Sequence, residues 1–406
     1  MNILMANATW YPTGGDWTYI DSVNKLYEKH GHKIIPFAAK NPKNFKTEYD
    51  EYFVDGIDYK MLNENKSLAN GIDVVKRSIY SMQAKKNLQR LIQDHKIDYA
   101  QLHNIHNVQT PSIVSVLKQA KIKTVWRILD YKLVCPNRTF LAGDNICQDC
   151  FKHKYYQCAF NKCKKGSFSA SLIAAAESYF YYMFPFKNDI DAFLFQNQFM
   201  KDLFVKYGYD KNKCHVIENP YDCSLDIPTY QGKDYILYFG RLSPEKGIIT
   251  LLESMKMLPD IKLKIIGNGP LSDEAIQFVS SNNMHNVEFL GAKYGTELDI
   301  VLKDALFTVV PSEWLEPSPY VVLQSYANGK PVIANDIGGL TNLVKDGVTG
   351  MLSTMKDANS LAFCIRTMYL NREKTEQMGV EARQMLERDY NPDKYYHTTM
   401  QLFEQL

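Results

Sequence analysis

Nowhere in its 406 residues does this sequence string together the ~18–20 uncharged apolar residues of a membrane-spanning helix, so no spanning segment is expected. An excess of either charge is missing as well. Lys and Arg number 47 against 45 Asp and Glu, a formal net charge of +2, which argues against a general nucleic-acid binder and its basic face. The opening MNILMAN is too short for the apolar region of a secretory signal and leads directly into residues 10–17. The expected location is cytoplasmic, compatible with peripheral attachment at the inner face of the cell membrane. In that compartment disulfides among the eight cysteines are not expected.

Hydrophobic residues are 45% of the chain, enough for large buried sheets, and the length is too great for one core. Short apolar runs alternate with amphipathic stretches twice over. Strands are expected at residues 2–7, 33–38, 99–103, 123–129 and 192–196, with helices between them, including 16–30 and 71–95. The rhythm repeats with strands at 235–240, 262–267, 287–290, 306–310 and 331–335. Such alternation predicts an α/β protein: two Rossmann-like, doubly wound parallel-sheet domains facing across a cleft. The expected boundaries are 1–218 for the first domain, with a cysteine-rich insertion at 131–166, a linker at 219–233, and 234–392 for the second domain. In such sheets ligands sit beyond the carboxyl ends of the strands, where Arg241, Gly267, Gly269, Glu316 and Gly339 fall.

Two strand–loop–helix junctions carry the chemistry. The first, YILYFGRLSPEKG, runs through Gly240 into an expected helix with Ser243 as N-cap and Pro244 as first residue. Lys246 then takes the third helical position, where Glu would complete a capping box. A cation at the positive end of a helix dipole, with Arg241 just upstream, costs stability unless an anion binds there. In the second junction, LFTVVPSEWLEPSPYVVLQSYANGKPVIA, Ser318 caps and Pro319 opens a helix. The amide groups of Tyr320 and Val321 are then aimed out of its start. Glu316 stands just before that start, a poor neighbour for phosphate but a strong acceptor for sugar hydroxyls. Cations for a diphosphate beside a carboxylate for a sugar describe a nucleotide-sugar site.

The run Gly240-Arg241-Leu242-Ser243-Pro244-Glu245-Lys246-Gly247, followed by Glu316, ANGKPVIA, Gly338-Gly339-Leu340 and DGVTG at 346–350, resembles the retaining family 4 glycosyltransferases of GT-B fold, group 1 glycosyl transferases. The resemblance covers nearly the whole chain in order. It implies that Arg241 and Lys246 neutralise the donor diphosphate and that Glu316 contacts the donor sugar as the first acid of an E-x7-E pair. The second acid, which grips the nucleotide ribose, falls on Gln324. An amide accepts a hydroxyl bond without the charge-assisted strength, a loss of about 1–2 kcal/mol. Gly14-Gly15 matches the family's glycine-rich first loop, placing Gly15 toward the donor, and Gly267 and Gly269 suit a nucleotide-facing loop. The final helix, 393–406, is implied to return to the first domain.

On the acceptor side, His103 and His106 end one strand and Asp130 another. The family's His-Asp pair reads Leu129-Asp130 here, so that histidine is absent. Asp130 is the candidate base for an acceptor hydroxyl, although the departing phosphate can take the proton in such transfers, and His106 is a candidate lining residue. The expected reaction is transfer of a sugar from a UDP- or GDP-sugar to a glycan or polyprenyl-linked acceptor, in bacterial surface polysaccharide synthesis and without a catalytic cofactor. The alternatives are a non-catalytic GT-B binding subunit and a nucleotide-sugar epimerase on the same architecture.

Five cysteines crowd the insertion: Cys135, Cys147, Cys150, Cys158 and Cys163. The C-x2-C of Cys147 and Cys150, with Cys135 and Cys163 flanking, resembles a structural zinc arrangement, and reduced, packed thiols are the alternative. Next comes SFSASLIAAAESYFYYMFPF, a small-residue helix ending in aromatics and flanked by Lys162, Lys164, Lys165 and Lys187. It reads either as a helix packed in the first domain or as a surface for anionic headgroups.

Overall fold

Strands form where short apolar runs are bounded by turn residues, and they pair in parallel because a helix separates each from the next. The computed structural model describes residues 1–56 and 76–406. The chain divides into two units, one of residues 1–196, 201–217 and 395–406, the other of 197–200 and 218–394.

In the first unit, β1 (Asn2–Ala6), β2 (Lys33–Phe37), β3 (Tyr99–Leu102) and β4 (Lys123–Arg127) are followed by a small hairpin, β5 (Leu141–Ala142) with β6 (Asn145–Ile146), inside the cysteine-rich insertion. β7 (Ala192–Phe195) and β8 (Cys214–Val216) complete a six-stranded parallel sheet in the order β2-β1-β3-β4-β7-β8. The second unit holds β9 (Ile236–Phe239), β10 (Leu263–Ile266), β11 (Val287–Phe289), β12 (Thr308–Val310), β13 (Val332–Asn335) and β14 (Gly350–Ser353). Its order, β11-β10-β9-β12-β13-β14, is the doubly wound pattern in which the chain starts centrally, winds out one way and returns to wind out the other.

The expected α/β class and paired parallel sheets hold. Both edge strands β8 and β14 lie outside the sequence expectations, since three or four residues with a histidine or glycine among them carry little strand signal. Of the helix expected at 71–95, residues 71–75 lie outside the described residues. The remainder is a short helical turn at 76–79, a break at Tyr80–Ser81, and a helix at Met82–Asp94 capped by the Ser81 hydroxyl.

Residues 219–233, expected as a linker, are packed into the second unit. Arg383 explains why: its guanidinium donates to the carbonyls of Asp226 (3.0 Å) and Cys223 (3.1 Å) while its Nε donates to Glu387 (2.6 Å). A chain held by a charged fork at two carbonyls does not behave as a tether. At the other end of the sequence, helix Pro392–Gln405 contributes to the first unit. There Tyr395 and Tyr19 share a hydroxyl–hydroxyl bond of 2.6 Å, and Tyr396 stacks on His30 at 3.6 Å.

Candidate functional site

The winding direction of the second sheet reverses between β9 and β12, so the loops after these two strands diverge and leave a crevice at their carboxyl ends. Both sequence junctions sit there. They are tied by their backbones: the Glu313 amide donates to the Glu245 carbonyl at 2.9 Å, and Thr250 Oγ1 donates to Glu313 at 2.5 Å. The tie requires Gly247. Its φ of 68° is left-handed, and a Cβ would overlap the Pro311 carbonyl.

This close approach brings Lys246 and Glu316 into an ion pair. Glu316 is buried and also accepts from Ser312 Oγ at 2.8 Å, while Lys246 lies over the Trp314 ring at 5.5 Å. The backbone that carries Glu316 is held by Gly338-Gly339. The Gly339 amide donates to the Glu316 carbonyl at 2.7 Å, and a Cβ at Gly339 would overlap the Pro317 carbonyl. Below, Asn335 donates to the carbonyls of Pro311 (2.9 Å) and Ser312 (3.0 Å). Tyr238 reaches the Arg241 carbonyl at 2.8 Å, and burial, with Glu316 nearby, holds its hydroxyl protonated. Arg241 is exposed, in the same loop as Lys246. The arrangement sets a cation against a fixed carboxylate, groups that can partner a phosphate and hydroxyls respectively.

Local geometry corrects two expectations. Residues Pro244–Lys246 form a single 3-10 turn, Ser243 Oγ bonds Glu245 (2.6 Å) rather than a backbone amide, and the α-helix begins at Ile248. A left-handed Gly247 cannot continue a right-handed helix, so Lys246 precedes the helix rather than standing inside its first turn. The second helix begins at Tyr320, with Pro319 as its N-cap and no capping bond from Ser318. Val321 and Gln324 follow on that helix, both half-buried, and the Tyr320 hydroxyl reaches the Pro220 carbonyl at 3.4 Å. Gly267 and Gly269 serve packing: a Cβ at either would overlap the carbonyl of Gly240 or Leu242, and the Leu242 amide bonds Asn268 at 3.1 Å. Ser312 and Asn335 were not foreseen, although Asn335 ends a strand as Asp130 nearly does.

The first sheet reverses between β1 and β3; the loops there carry Gly14 and Asn104, and the helix after β1 opens with Gly15 and Asp16. Gly14 takes φ 129° as N-cap of helix Gly15–Lys29, and no atom lies within 4 Å of a Cβ at Gly14 or Gly15. Asp16, absent from the sequence reading, accepts from Asn104 at 2.6 Å. Crowding by protein atoms and then the Asp130 carboxylate push it up to about 6, against the pull of Asn104 and Arg138. Asp130 accepts from the Lys132 amide (2.8 Å) and faces Arg138 at 3.8 Å. The candidate His106 is buried against Trp126, 5.6 Å between rings, and its imidazole is held neutral by burial and by Arg138 and Lys132. It belongs to the interior rather than to a lining surface, and His103, buried beside Tyr19, does likewise.

Because the folded state raises the Asp16 pKa, its stabilising contribution is complete below the unfolded value near 4 and is lost as pH rises through about 6. Asp16→Asn is therefore expected to raise Tm at pH 8 and to leave it unchanged at pH 4. Asp16 retains solvent access, so screening keeps the gain to a few degrees. Thermal melts of both proteins across that range check the sign, and an equal difference at both pH values contradicts it.

The zinc expectation is not met. Among the described residues no three His, Cys, Asp or Glu side chains are arranged to hold a metal ion, so Cys135, Cys147, Cys150 and Cys163 do not form a ligand set. All eight cysteines are free thiols. Burial pushes the Cys135 thiol up to about 11, and burial together with Cys135, Cys163 and Cys147 pushes Cys150 up to about 12. Cys150 and Cys158 pack with Tyr155 and Ala175, against helix Phe168–Met183. Cys147 Sγ instead accepts from the Asp149 amide and Asn161.

Residues 226–385 match the family model described as glycosyl transferases group 1. An uncharacterized glycosyltransferase of Methanocaldococcus jannaschii is 32% identical over 176 residues, 43% of this chain and 49% of that protein. This chain thus spans about half the length of that relative. An uncharacterized 42.6 kDa protein in the cps region of Klebsiella pneumoniae is 22% identical over 354 residues, covering 84% of this chain and 87% of that one. Among solved structures, Anabaena HepE in complex with UDP aligns with a TM-score of 0.68 over 100% of both chains at 17% identity, a likeness of fold.

Proposed function

We propose that this chain, whose residues 226–385 match the family model described as glycosyl transferases group 1, moves a sugar from a nucleoside-diphosphate donor to a glycan or polyprenyl-linked acceptor. Its two six-stranded parallel sheets carry the GT-B fold. The observation that carries the proposal is the Lys246–Glu316 pair fixed at the switch point of the second sheet. Lys246 and Arg241 neutralise the diphosphate, and Glu316 accepts bonds from donor-sugar hydroxyls. As the bond from the anomeric carbon to the phosphate oxygen breaks, the acceptor oxygen bonds that carbon with retention, and its proton passes to the departing phosphate. The UDP of the HepE complex and the cps-region setting of the Klebsiella protein support a UDP-type donor and a surface polysaccharide product.

Gln324 in place of the second acid makes donor affinity modest without touching the bond being broken. Gln324 and Leu129 also favour a second reading, a non-catalytic binding subunit. A thermal-shift panel of UDP-, GDP- and ADP-sugars, followed by donor hydrolysis, separates the two. A cognate nucleotide at a hundred times its Kd stabilises by about 2.7 kcal/mol, or roughly 5–10 °C for a unit of this size. Turnover of the stabilising donor is expected; silence across the whole panel in both assays removes the proposal.

A further inference from the structure

Helix Phe168–Met183 is built inside out. Its buried stripe consists of Ser171, Ala174, Ala175 and Ser178, together with Glu177, whose carboxylate pairs with buried Lys132 at 2.6 Å. Its large apolar side chains face water. Phe168, Leu172, Ala176 and Met183 recur at helical spacing along one exposed side, with Ile173 next to them. Leu172, Met183, Phe184 and, on the packed neighbouring helix Tyr156–Phe160, Phe160 each leave half or more of their surface in water. A protein that needed this helix only for its core would place these side chains inward, and a contiguous apolar exposure of this kind marks an interaction surface.

Charge identifies what covers it. Between residues 150 and 188 the chain carries six lysines and one carboxylate, and that carboxylate, Glu177, is buried. Lys152, Lys154, Lys162 and Lys165 are exposed around the patch. A second copy of this chain meeting the same patch across a two-fold axis would bring those lysines against one another. Anionic headgroups neutralise them instead, while the apolar stripe enters the acyl boundary. Among the described residues no helix is long and apolar enough to cross a membrane, so the attachment is peripheral.

We propose that the outer face of helix Phe168–Met183, with Phe184 and Phe160, is a docking surface for an anionic lipid bilayer. It lies in the first unit and stands independently of the donor chemistry, though it would bring a lipid-linked acceptor to the enzyme.

Co-sedimentation of the full chain with phosphatidylglycerol–phosphatidylcholine vesicles tests it, with pure phosphatidylcholine as reference. The expected bound fraction is at least tenfold higher on the anionic vesicles at low salt and falls sharply in 0.5 M salt, as screening shortens the electrostatic reach. Phe168→Gln with Leu172→Gln and Met183→Gln is expected to abolish binding with Tm unchanged, because these side chains support no core. Lys162→Glu with Lys165→Glu is expected to lower it on anionic vesicles alone. Equal binding to both vesicle types overturns the proposal, as does full retention in the triple variant. A concentration-dependent dimer that the triple variant makes monomeric, without vesicle binding by the parent chain, assigns the patch to self-association and overturns it too.

Discussion

Glu316→Gln is expected to lower kcat for sugar transfer by about 10²–10³-fold, the scale of losing one pre-positioned electrostatic contact, while leaving Tm within a degree or two. The amide oxygen still accepts from Ser312 Oγ and from Lys246, so the clamp formed by Gly338-Gly339 and Asn335 is undisturbed. In the proposed transfer, what is lost is the negative charge beside a sugar ring whose anomeric carbon becomes cationic as the phosphate departs, an interaction that strengthens toward the transition state. Glu316→Ala gives a less clean result, because it also strips the buried pair from Lys246 and opens a cavity. Steady-state kinetics with the cognate donor, read beside thermal melts, separates the two effects. A Gln variant with more than a third of the parent kcat contradicts the role assigned to Glu316.

Glu177→Ala is expected to destabilise the first unit by about 3–5 kcal/mol, because it leaves the Lys132 ammonium buried with only the Pro136 carbonyl (3.3 Å) as an acceptor. The two side chains are 1% and 5% exposed, so water cannot replace the missing partner. Tyr181, which donates to Glu177 at 3.0 Å, loses its acceptor as well. For a unit of about two hundred residues this corresponds to a fall in Tm of roughly 6–20 °C. Replacing both partners, Lys132→Met with Glu177→Met, is expected to recover much of the loss, since an apolar pair carries no desolvation cost. A double-mutant cycle by urea denaturation reads the coupling, and a single-variant loss below about 1 kcal/mol contradicts the buried-pair account.

The two strand–loop–helix junctions were legible because each is local: an apolar run, a glycine, a serine–proline pair and a lysine follow one another in the first, and an apolar run, Glu316 and a serine–proline pair in the second, each within fourteen residues. The contact between Lys246 and Glu316 was not, because it depends on a left-handed Gly247 and on the bond from the Glu313 amide to the Glu245 carbonyl, which sequence spacing does not reveal. The same distinction explains the linker. Proline, tyrosine and glycine at 219–233 read as loop, correctly, but the Arg383 fork that fastens this loop lies 157 residues further on for Asp226. Cysteine spacing suggested zinc, whereas packing turned Cys150 and Cys158 into the apolar support of a helix. That helix was itself legible, but its orientation was not, because one buried ion pair decides which side turns inward. Asp16 escaped notice for a related reason: only the parallel pairing of β1 with β3 brings it to Asn104.

Lys246, fixed between Glu316 and Trp314, is the group proposed to receive the second phosphate of a nucleotide. Calorimetric titration of the cognate nucleoside diphosphate and its monophosphate into the parent chain and Lys246→Gln tests it most directly. The glutamine amide can still donate to Glu316 but carries no charge. The parent chain is expected to prefer the diphosphate by about 30-fold, near 2 kcal/mol, and the variant by less than about threefold. An equal preference for the diphosphate in both proteins would contradict the account.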